Sequence, residues 1–325
     1  MTFRCGTLGF DTSQGLGVLA KALFDNGVLS SVLVLEHGRR VSNRDWFPGQ
    51  PRLGNVHDWP AIRAYLDTLD VFLALETPFD WRAFPYCRTK GIKTALMPMG
   101  ECEPDPLPEK PDLFLCPSLW DLKLFPEHSV HLPVPVSVPW RPRERAEVFV
   151  HNAGHSGLRG RNGTAELLAA LHLVKSPCRF VLRTQGHWGA PVRDPRVELH
   201  SGTVPFGELW SEGDCFLWPD KFQGLSLPLQ EAFASGLACL ASDRFPHNAW
   251  LPREPLIPVR GYRRARVSPR CLEFDEALID PRDIAAKIDE FYGKDIRGYS
   301  EAGRKWAQEN SWERWAPEYR RVLQP

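Results

Sequence analysis

Short apolar runs alternate with segments of helical period along the first part of the chain. One such segment, 18–27, has apolar positions at helical spacing and ends at Gly27, a typical residue just after a helix C-terminus. Wholly apolar strands separated by amphipathic helices are typical of βαβ units, which build parallel sheets covered on both faces. The pattern predicts a doubly wound domain with buried strands at 30–37, 70–76, 92–99 and 112–118.

A proline-rich segment, 131–146, interrupts this pattern. Its four prolines exclude a regular element, so we interpret it as a linker. The alternation then resumes, and it predicts strands at 147–154, 178–186, 196–202, 214–219 and 237–243, and helices at 164–174 and 227–236. We therefore expect two Rossmann-like α/β domains, 1–140 and 141–300, that face a cleft lined by the carboxyl ends of their strands, where ligands bind.

Composition narrows the class of protein. The 325 residues, 43% of them hydrophobic, suffice for two domains. Lys and Arg together number 40, as do Asp and Glu, so no long-range field favours nucleic acid or an anionic membrane. The eight cysteines include no C-x-x-C pair and are typical of reduced core residues. With no signal-peptide pattern at the start and no long apolar run, we expect a cytoplasmic protein without integral membrane contact, either monomer or homodimer.

The segment QGLSLPLQEAFASG, 223–236, carries the candidate chemistry. It follows an expected strand and leads through a glycine-containing loop into a helix that begins with Leu227-Pro228, and proline is well tolerated there. The loop amides and the helix N-terminus would point at one place, which suits an anionic or hydroxyl-rich ligand. Glu231 is expected on the first helical turn, where it either faces that ligand or is a solvated carboxylate.

The pattern W-P-x-x-x-Q-G-L-S-L-P-L-Q-E-A-F-A-S-G-L-A-C-L-A-S-D, 218–243, resembles the donor-binding signature of retaining glycosyltransferases with the GT-B fold. That family includes many bacterial mannosyl- and glucosyltransferases, and seven residues separate its two glutamates. Here the second glutamate is Glu231, and Gln223 occupies the first position. The resemblance continues through 197–219 and 280–323, and it implies a C-terminal helix, 301–325, that crosses back onto the first domain.

The resemblance implies transfer of a hexose from a UDP- or GDP-sugar to an acceptor hydroxyl, with retention at the anomeric carbon. It also implies that the reaction needs neither a metal nor a bound cofactor, and no D-x-D triplet supports a metal-bridged diphosphate. The donor base would lie near 200–204, the ribose hydroxyls on Glu231, and the diphosphate at Arg159 or Arg161, which either neutralise the leaving group or are solvated.

Other positions match the family less closely. Asn162-Gly163 stands where the family has Lys-Gly, and a histidine common in the first domain is replaced by carboxylates such as Glu101. Glu101 and Glu76 either orient the acceptor or lie at the rim without a role. The resemblance thus implies catalytic roles for Glu231, Gln223, Arg159, Arg161 and Glu101, and donor contacts for Gly15, Gly17, His155, Asn162, Gly202, Val204, Gly224, Leu225, Ser226, Leu227 and Glu231.

The acceptor, a carbohydrate or other hydroxyl compound, is the least determined part of this interpretation. The cluster 259–270 holds five arginines, among them Arg263 and Arg264, which we expect near an acceptor or an anion. The cluster would suit a small anion, a DNA backbone next to a hydroxymethylated base, or a lipid-linked diphosphate; alternatively, it is merely solvated. A hydrolase, an epimerase or a sugar-nucleotide-binding module of the same fold is the alternative of another class.

Gln223 is the clearest departure from the family signature. An amide exchanges charge-assisted hydrogen bonds to the donor for neutral ones, a loss of about 1 kcal/mol per bond. It also adds hydrogen-bond donors that a carboxylate lacks. We therefore expect an active enzyme whose donor preference differs from that of its glutamate-bearing relatives.

Overall fold

The computed structural model describes residues 3–36, 42–154, 160–186, 192–205 and 208–325. The chain forms two compact units. Unit 1 runs up to Pro135 and also includes Arg266–Leu272 and Asn310–Pro325. Unit 2 comprises Val136–Ala265 and Glu273–Glu309. Each unit therefore contains segments that are distant in sequence.

Unit 1 is built on a seven-stranded sheet. All five residues are buried in its first, second and fourth strands, as expected for strands covered on both faces. Its strands are β1 (Cys5–Gly9), β2 (Ser31–Leu35), β3 (Arg52–Leu53), β4 (Val71–Leu75), β5 (Lys93–Met97), β6 (Leu113–Cys116) and β7 (Ser129–His131). They lie in the order β3-β2-β1-β4-β5-β6-β7, and all neighbours are parallel. The helices α1 (Gly15–Asp25), α2 (Trp59–Leu66), α3 (Ala83–Thr89) and α4 (Leu119–Leu124) connect them.

Unit 2 repeats this architecture with five parallel strands. These are β8 (Val148–Gly154), β9 (Arg179–Thr184), β10 (Val197–Ser201), β11 (Cys215–Trp218) and β12 (Ala238–Ala241), in the order β10-β9-β8-β11-β12. An antiparallel pair, β13 (Gly261–Ala265) and β14 (Phe274–Leu278), follows. The helices are α5 (Thr164–Leu171), α6 (Leu227–Ala234), α7 (Pro281–Phe291) and α8 (Arg297–Glu309).

The predicted α/β class with two Rossmann-like sheets is confirmed. The apolar runs identify the buried central strands because both faces of those strands are covered. The pattern did not predict the pair β13 and β14, in which the arginines of β13 are exposed and conceal any strand alternation. In the part of the chain that the structure describes, no helix combines the length and apolar character needed to span a membrane.

The last helix, α9 (Trp312–Val322), belongs to unit 1. Its buried Tyr319 donates a hydrogen bond from its hydroxyl to the main-chain oxygen of Leu132, at 3.1 Å. Arg320 Nη1 donates to the main-chain oxygen of Asn26, also at 3.1 Å. The return of the chain to the first domain is confirmed, although residues 301–309 are part of α8 in unit 2.

Helix α8 packs on α6 through a glycine. A Cβ atom on Gly303 would lie 2.0 Å from the main-chain oxygen of Phe233, so only glycine permits this approach. Trp306, on the next turn, lies with its ring centroid 5.9 Å from that of Phe233. The contact fixes the helix that carries Glu231.

Two glycine substitutions in α8 test this contact. Gly303→Ala should lower the free energy of unfolding by about 1–3 kcal/mol, because the methyl group must displace the Phe233 carbonyl. Gly298→Ala, in the same helix, meets nothing within 4 Å and should raise it by about 0.5 kcal/mol through helix propensity. Urea denaturation of both variants measures the difference, and equal effects would refute the close contact.

Candidate active site

The loop between β11 and α6, residues 219–226, is held from both sides and is called the 219–226 loop below. Trp218 Nε1 donates to Ser226 Oγ at 2.9 Å, and Gln230 Nε2 donates to the main-chain oxygen of Leu225 at 2.5 Å. Ser226 has a φ of 48°, in the left-handed region, which is uncommon for a residue other than glycine. The chain therefore turns sharply into α6, which begins at Leu227.

Consecutive main-chain amides of this turn lack partners in the part of the protein that the structure describes. The N–H groups of Gly224, Leu225, Ser226 and Leu227 donate to no acceptor among the described residues. The first three of these residues are buried. Buried N–H groups are nearly always paired, so this row of donors at the N-terminus of α6 is a candidate surface for an anion.

Glu231 lies on the second turn of α6, not on the first as expected, because it is the fifth residue of a helix that begins at Leu227. It is buried rather than solvated, and Trp210 Nε1 donates to its Oε2 at 3.2 Å. Burial raises the pKa of Glu231 to about 8, and the bond from Trp210 opposes this rise. No described cation pairs with Glu231, so its carboxylate form requires hydrogen-bond donors from elsewhere.

Gln223 is also buried, at the start of the same turn. Its Nε2 donates to Asp220 Oδ2 at 3.3 Å. One of the donors gained by the replacement of glutamate is therefore used inside the protein.

The loop after β8 reaches the same edge of the sheet. Asn162 is buried, and its Nδ2 donates to the main-chain oxygen of Ala153 at 3.0 Å, while Oδ1 has no partner among the described residues. Gly163 has a φ of 66°, and a Cβ there would lie 1.8 Å from the main-chain oxygen of Pro219. Asn162-Gly163 thus closes this loop against the 219–226 loop. Arg161 is half-buried beside them, whereas Arg159 and His155 lie outside the described residues.

His151 joins the elements that carry these loops. Its buried ring lies 2.9 Å from the main-chain oxygen of Leu217 through Nδ1 and 2.9 Å from Thr164 Oγ1 through Nε2. Burial lowers the pKa of His151 to about 4, so the ring is neutral. The expected base-binding turn lies at the end of β10, where Gly202 is exposed and Val204 is half-buried.

In unit 1 the glycines after β1 serve two purposes. A Cβ on Gly17 would lie 2.0 Å from the main-chain oxygen of Thr12, so this glycine admits the protein's own backbone. A Cβ on Gly15 would meet nothing within 4 Å, and Gly15 is exposed. Of these two glycines, Gly15 is the one that leaves open space for a ligand.

Carboxyl groups gather at the carboxyl ends of β4 and β5 in unit 1. Burial raises the pKa of Glu103 to about 9, with Glu76, Asp121 and Glu101 adding to the rise. Burial, followed by the charge of Glu101, raises the pKa of Asp121 to about 7. One acidic group therefore contains four carboxyl side chains: Glu76, Glu101, Glu103 and Asp121. Glu101 is buried, and Glu76 has a left-handed main-chain conformation with a φ of 64°.

The arginines at 260–264 form ion pairs within unit 2. Arg263 Nε donates to Glu276 at 2.7 Å, and Arg264 donates to Glu273 at 2.8 Å and to Asp275 at 2.9 Å. Arg260 pairs with Asp283. The positive charge of this cluster is largely neutralised by the protein itself.

Among the residues the structure describes, no group of three or more histidine, cysteine, aspartate or glutamate side chains is arranged to hold a metal.

Sequence reasoning missed three buried polar residues around Gln223 and Glu231: Asp220, Arg244 and Trp210. The signal was present for the first two, since each is a charged residue within three residues of the end of an apolar strand. Trp210 had no such signal, because its bond to Glu231 spans a large sequence separation.

Comparison with known proteins supports the architecture. No protein-family profile and no curated protein sequence matches the chain. It is similar to the structure of Anabaena Alr3699/HepE in complex with UDP-glucose, with a TM-score of 0.67 and 11% identity over 98% of this chain and 99% of that chain. TarM of S. aureus has a TM-score of 0.56 and 12% identity over 81% of this chain and 57% of that chain. The calicheamicin glycosyltransferase CalG4 has a TM-score of 0.53 and 12% identity over 99% of each chain. These likenesses concern the fold, and they confirm the GT-B class expected from the sequence.

The burial of Glu231 makes stability depend on pH. The unfolded chain loses this proton near pH 4.5, whereas the folded protein keeps it until about pH 8, so stability falls as pH rises between these values. Glu231→Gln removes the titration and should make the protein more stable than wild type by roughly 2–5 kcal/mol at pH 8.5, but not at pH 4.5. Urea denaturation across this range checks it, and parallel curves would contradict the burial of an ionisable group.

Proposed function

We propose that the protein is a glycosyltransferase that moves a hexose from a nucleotide diphosphate sugar to an acceptor hydroxyl. The observation that carries this proposal is the row of amides at 224–227 for which the described residues offer no acceptor, with buried Glu231 one turn further along α6. One part suits an anion and the other suits hydroxyl groups. A nucleoside diphosphate presents both chemistries in one molecule.

The diphosphate is assigned to the 219–226 loop. Phosphate oxygens accept hydrogen bonds from the amides of Gly224 to Leu227, and the positive end of the α6 dipole favours their charge. Arg161, at the same edge of the sheet, supplies a formal positive charge. We assign neutralisation of the leaving group to these groups rather than to a metal ion.

The ribose is assigned to Glu231. Each of two neighbouring ribose hydroxyl groups can donate a hydrogen bond to one oxygen of the carboxylate. These donors replace the hydrogen bonds to water that Glu231 loses on burial. Such donors stabilise the ionised form, so ligand binding should lower the pKa of Glu231 below its value of about 8 in the free protein. The similarity to the structure of HepE in complex with UDP-glucose supports a UDP-sugar as the donor.

The reaction is proposed to proceed with retention at the anomeric carbon. The leaving phosphate accepts the proton of the attacking hydroxyl on the same face of the sugar, while the loop amides and Arg161 stabilise the charge that develops on it. The acceptor is assigned to unit 1, next to the carboxyl groups of Glu76 and Glu101.

All eight cysteines are free thiols, which supports a reducing compartment such as the cytoplasm.

Calorimetric titration with UDP, GDP and UMP tests the donor site. UDP or GDP should bind at least about tenfold more tightly than UMP, because the second phosphate reaches the loop amides. Glu231→Gln should weaken binding by about tenfold through loss of a charged acceptor. Glu290→Gln, an exposed change in the same unit, is the matched control and should leave binding unchanged. Absence of diphosphate binding by the wild type would refute the donor site.

The stereochemistry of transfer is a separate test. Incubation with the best-binding sugar nucleotide and a panel of hydroxyl acceptors should give a product with the anomeric configuration of the donor, read by proton NMR. An inverted product would overturn retention but not the donor site. Release of free sugar without transfer would indicate a hydrolase, an altered sugar nucleotide an epimerase, and binding without turnover a binding module.

A further inference from the structure

Asp220, in the 219–226 loop, forms a fully buried ion pair with Arg244. Asp220, Arg244 and His247 are 0%, 3% and 0% exposed. Arg244 donates to Asp220 Oδ2 from Nη2 at 2.6 Å and from Nε at 3.1 Å. The pair joins the loop after β11 to the segment after β12, so it lies at the carboxyl edge of the unit 2 sheet.

Both the main chain and the side chain of Gln223 form hydrogen bonds with this pair. Arg244 Nη2 donates to the main-chain oxygen of Gln223 at 2.5 Å, and the side-chain Nε2 of Gln223 donates to Asp220 Oδ2 at 3.3 Å. Because an ionised carboxylate only accepts hydrogen bonds, the amide nitrogen must face Asp220. This orientation leaves Oε1 and the second N–H of Gln223 for a ligand.

The Asp220–Arg244 pair, to which residue 223 is hydrogen-bonded, is balanced in charge only while residue 223 is neutral. Burial would raise the pKa of Asp220, but Arg244 and then His247 lower it to about 2, so Asp220 is ionised. Burial lowers the pKa of His247, whose Nδ1 lies 3.3 Å from Asp220 Oδ1, and the charge of Asp220 opposes this shift. The hydrogen-bonded pair of Asp220 and Arg244 thus places one negative and one positive charge in a buried site. A glutamate at 223 would add a second carboxylate beside Asp220 with a single guanidinium to neutralise both.

We propose that Asp220 and Arg244 are positioning residues that fix Gln223 as a neutral, oriented amide facing the sugar of the donor. The proposal rests on the assigned donor site and deepens it. A glutamate at position 223 would carry a negative charge. Here that charge is carried by Asp220, in the protein interior. The sugar then meets an amide oxygen as its hydrogen-bond acceptor instead of a carboxylate.

A double-mutant cycle between Asp220→Asn and Gln223→Glu tests the proposal. The probes are UDP-glucose, UDP-N-acetylglucosamine and GDP-mannose, each with its parent diphosphate, in calorimetric titrations. Each single variant should bind the best sugar nucleotide about tenfold more weakly, because one leaves Arg244 unpaired and the other crowds two carboxylates. Both should bind the parent diphosphate within about twofold of wild type, since it lacks the sugar that Gln223 contacts.

The double variant Asp220→Asn/Gln223→Glu exchanges the positions of amide and carboxylate and restores the charge balance. It should recover sugar-nucleotide affinity to within about threefold of wild type. If Asp220→Asn alone does not fold, recovery of folding in the double variant shows the same coupling. The matched control is Asp220→Asn/Gln230→Glu, which places the same chemical change on a buried glutamine that contacts Leu225 instead, and its effects should be additive.

Three results would overturn the proposal. Additive effects of Asp220→Asn and Gln223→Glu would show that the residues do not act together. Equal losses for the sugar nucleotide and its parent diphosphate would show that the pair only holds the loop. If the wild type bound no diphosphate, the proposed function itself would fail, and this outcome is separate from a wild type that binds diphosphate but gives an additive cycle.

Discussion

Buried hydrogen-bonding groups that the protein does not satisfy are the constraint on which this account depends. The amides of residues 224–227 are held in a sharp turn by Ser226 and lack acceptors within the described chain. Glu231 is buried beside one neutral donor, Trp210. Such groups are costly unless a ligand supplies the missing partners, and their concentration at the start of α6 is the basis of the proposed donor site.

Packing and charge keep this turn in place without filling it. Gly163 and Gly303 allow the main chain to approach Pro219 and Phe233 within distances that any other side chain would prevent. The ion pair of Asp220 and Arg244 holds the first part of the turn from beneath. The surrounding protein therefore bears the cost of ordering the loop, and a ligand can bind a surface that is already formed.

The sequence predicted the sheets well because parallel strands buried on both faces produce uninterrupted apolar runs, as in β4 and β11. It also located the turn that precedes α6. It gave the start of α6 at Leu227 correctly, but it placed Glu231 on the first turn, although Glu231 is the fifth residue of the helix and lies beyond a first turn of 3.6 residues. The left-handed conformation of Ser226, just before the helix, has no signal in the residue type. The pairing of Asp220 with Arg244 was equally hidden, because contacts between loops of neighbouring strands follow from topology and not from local pattern.

The same limit applies to unit 1. The sequence singled out Glu76 and Glu101 from their positions after strands, but it gave no reason to expect Glu103 to be buried with a pKa of about 9. Burial of a charged side chain depends on packing from distant segments. In both units, the elements were readable from the chain and the environments of their ionisable groups were not.

The most direct measurement counts the protons released when UDP binds. Calorimetric titrations at pH 7 in buffers of different ionisation enthalpy give this number. If ribose hydroxyls donate to ionised Glu231, the proton that the buried carboxyl holds at this pH must leave, so we predict release that approaches about one proton, and none from Glu231→Gln. UDP binding without proton release, or with the same release from wild type and variant, would contradict the account.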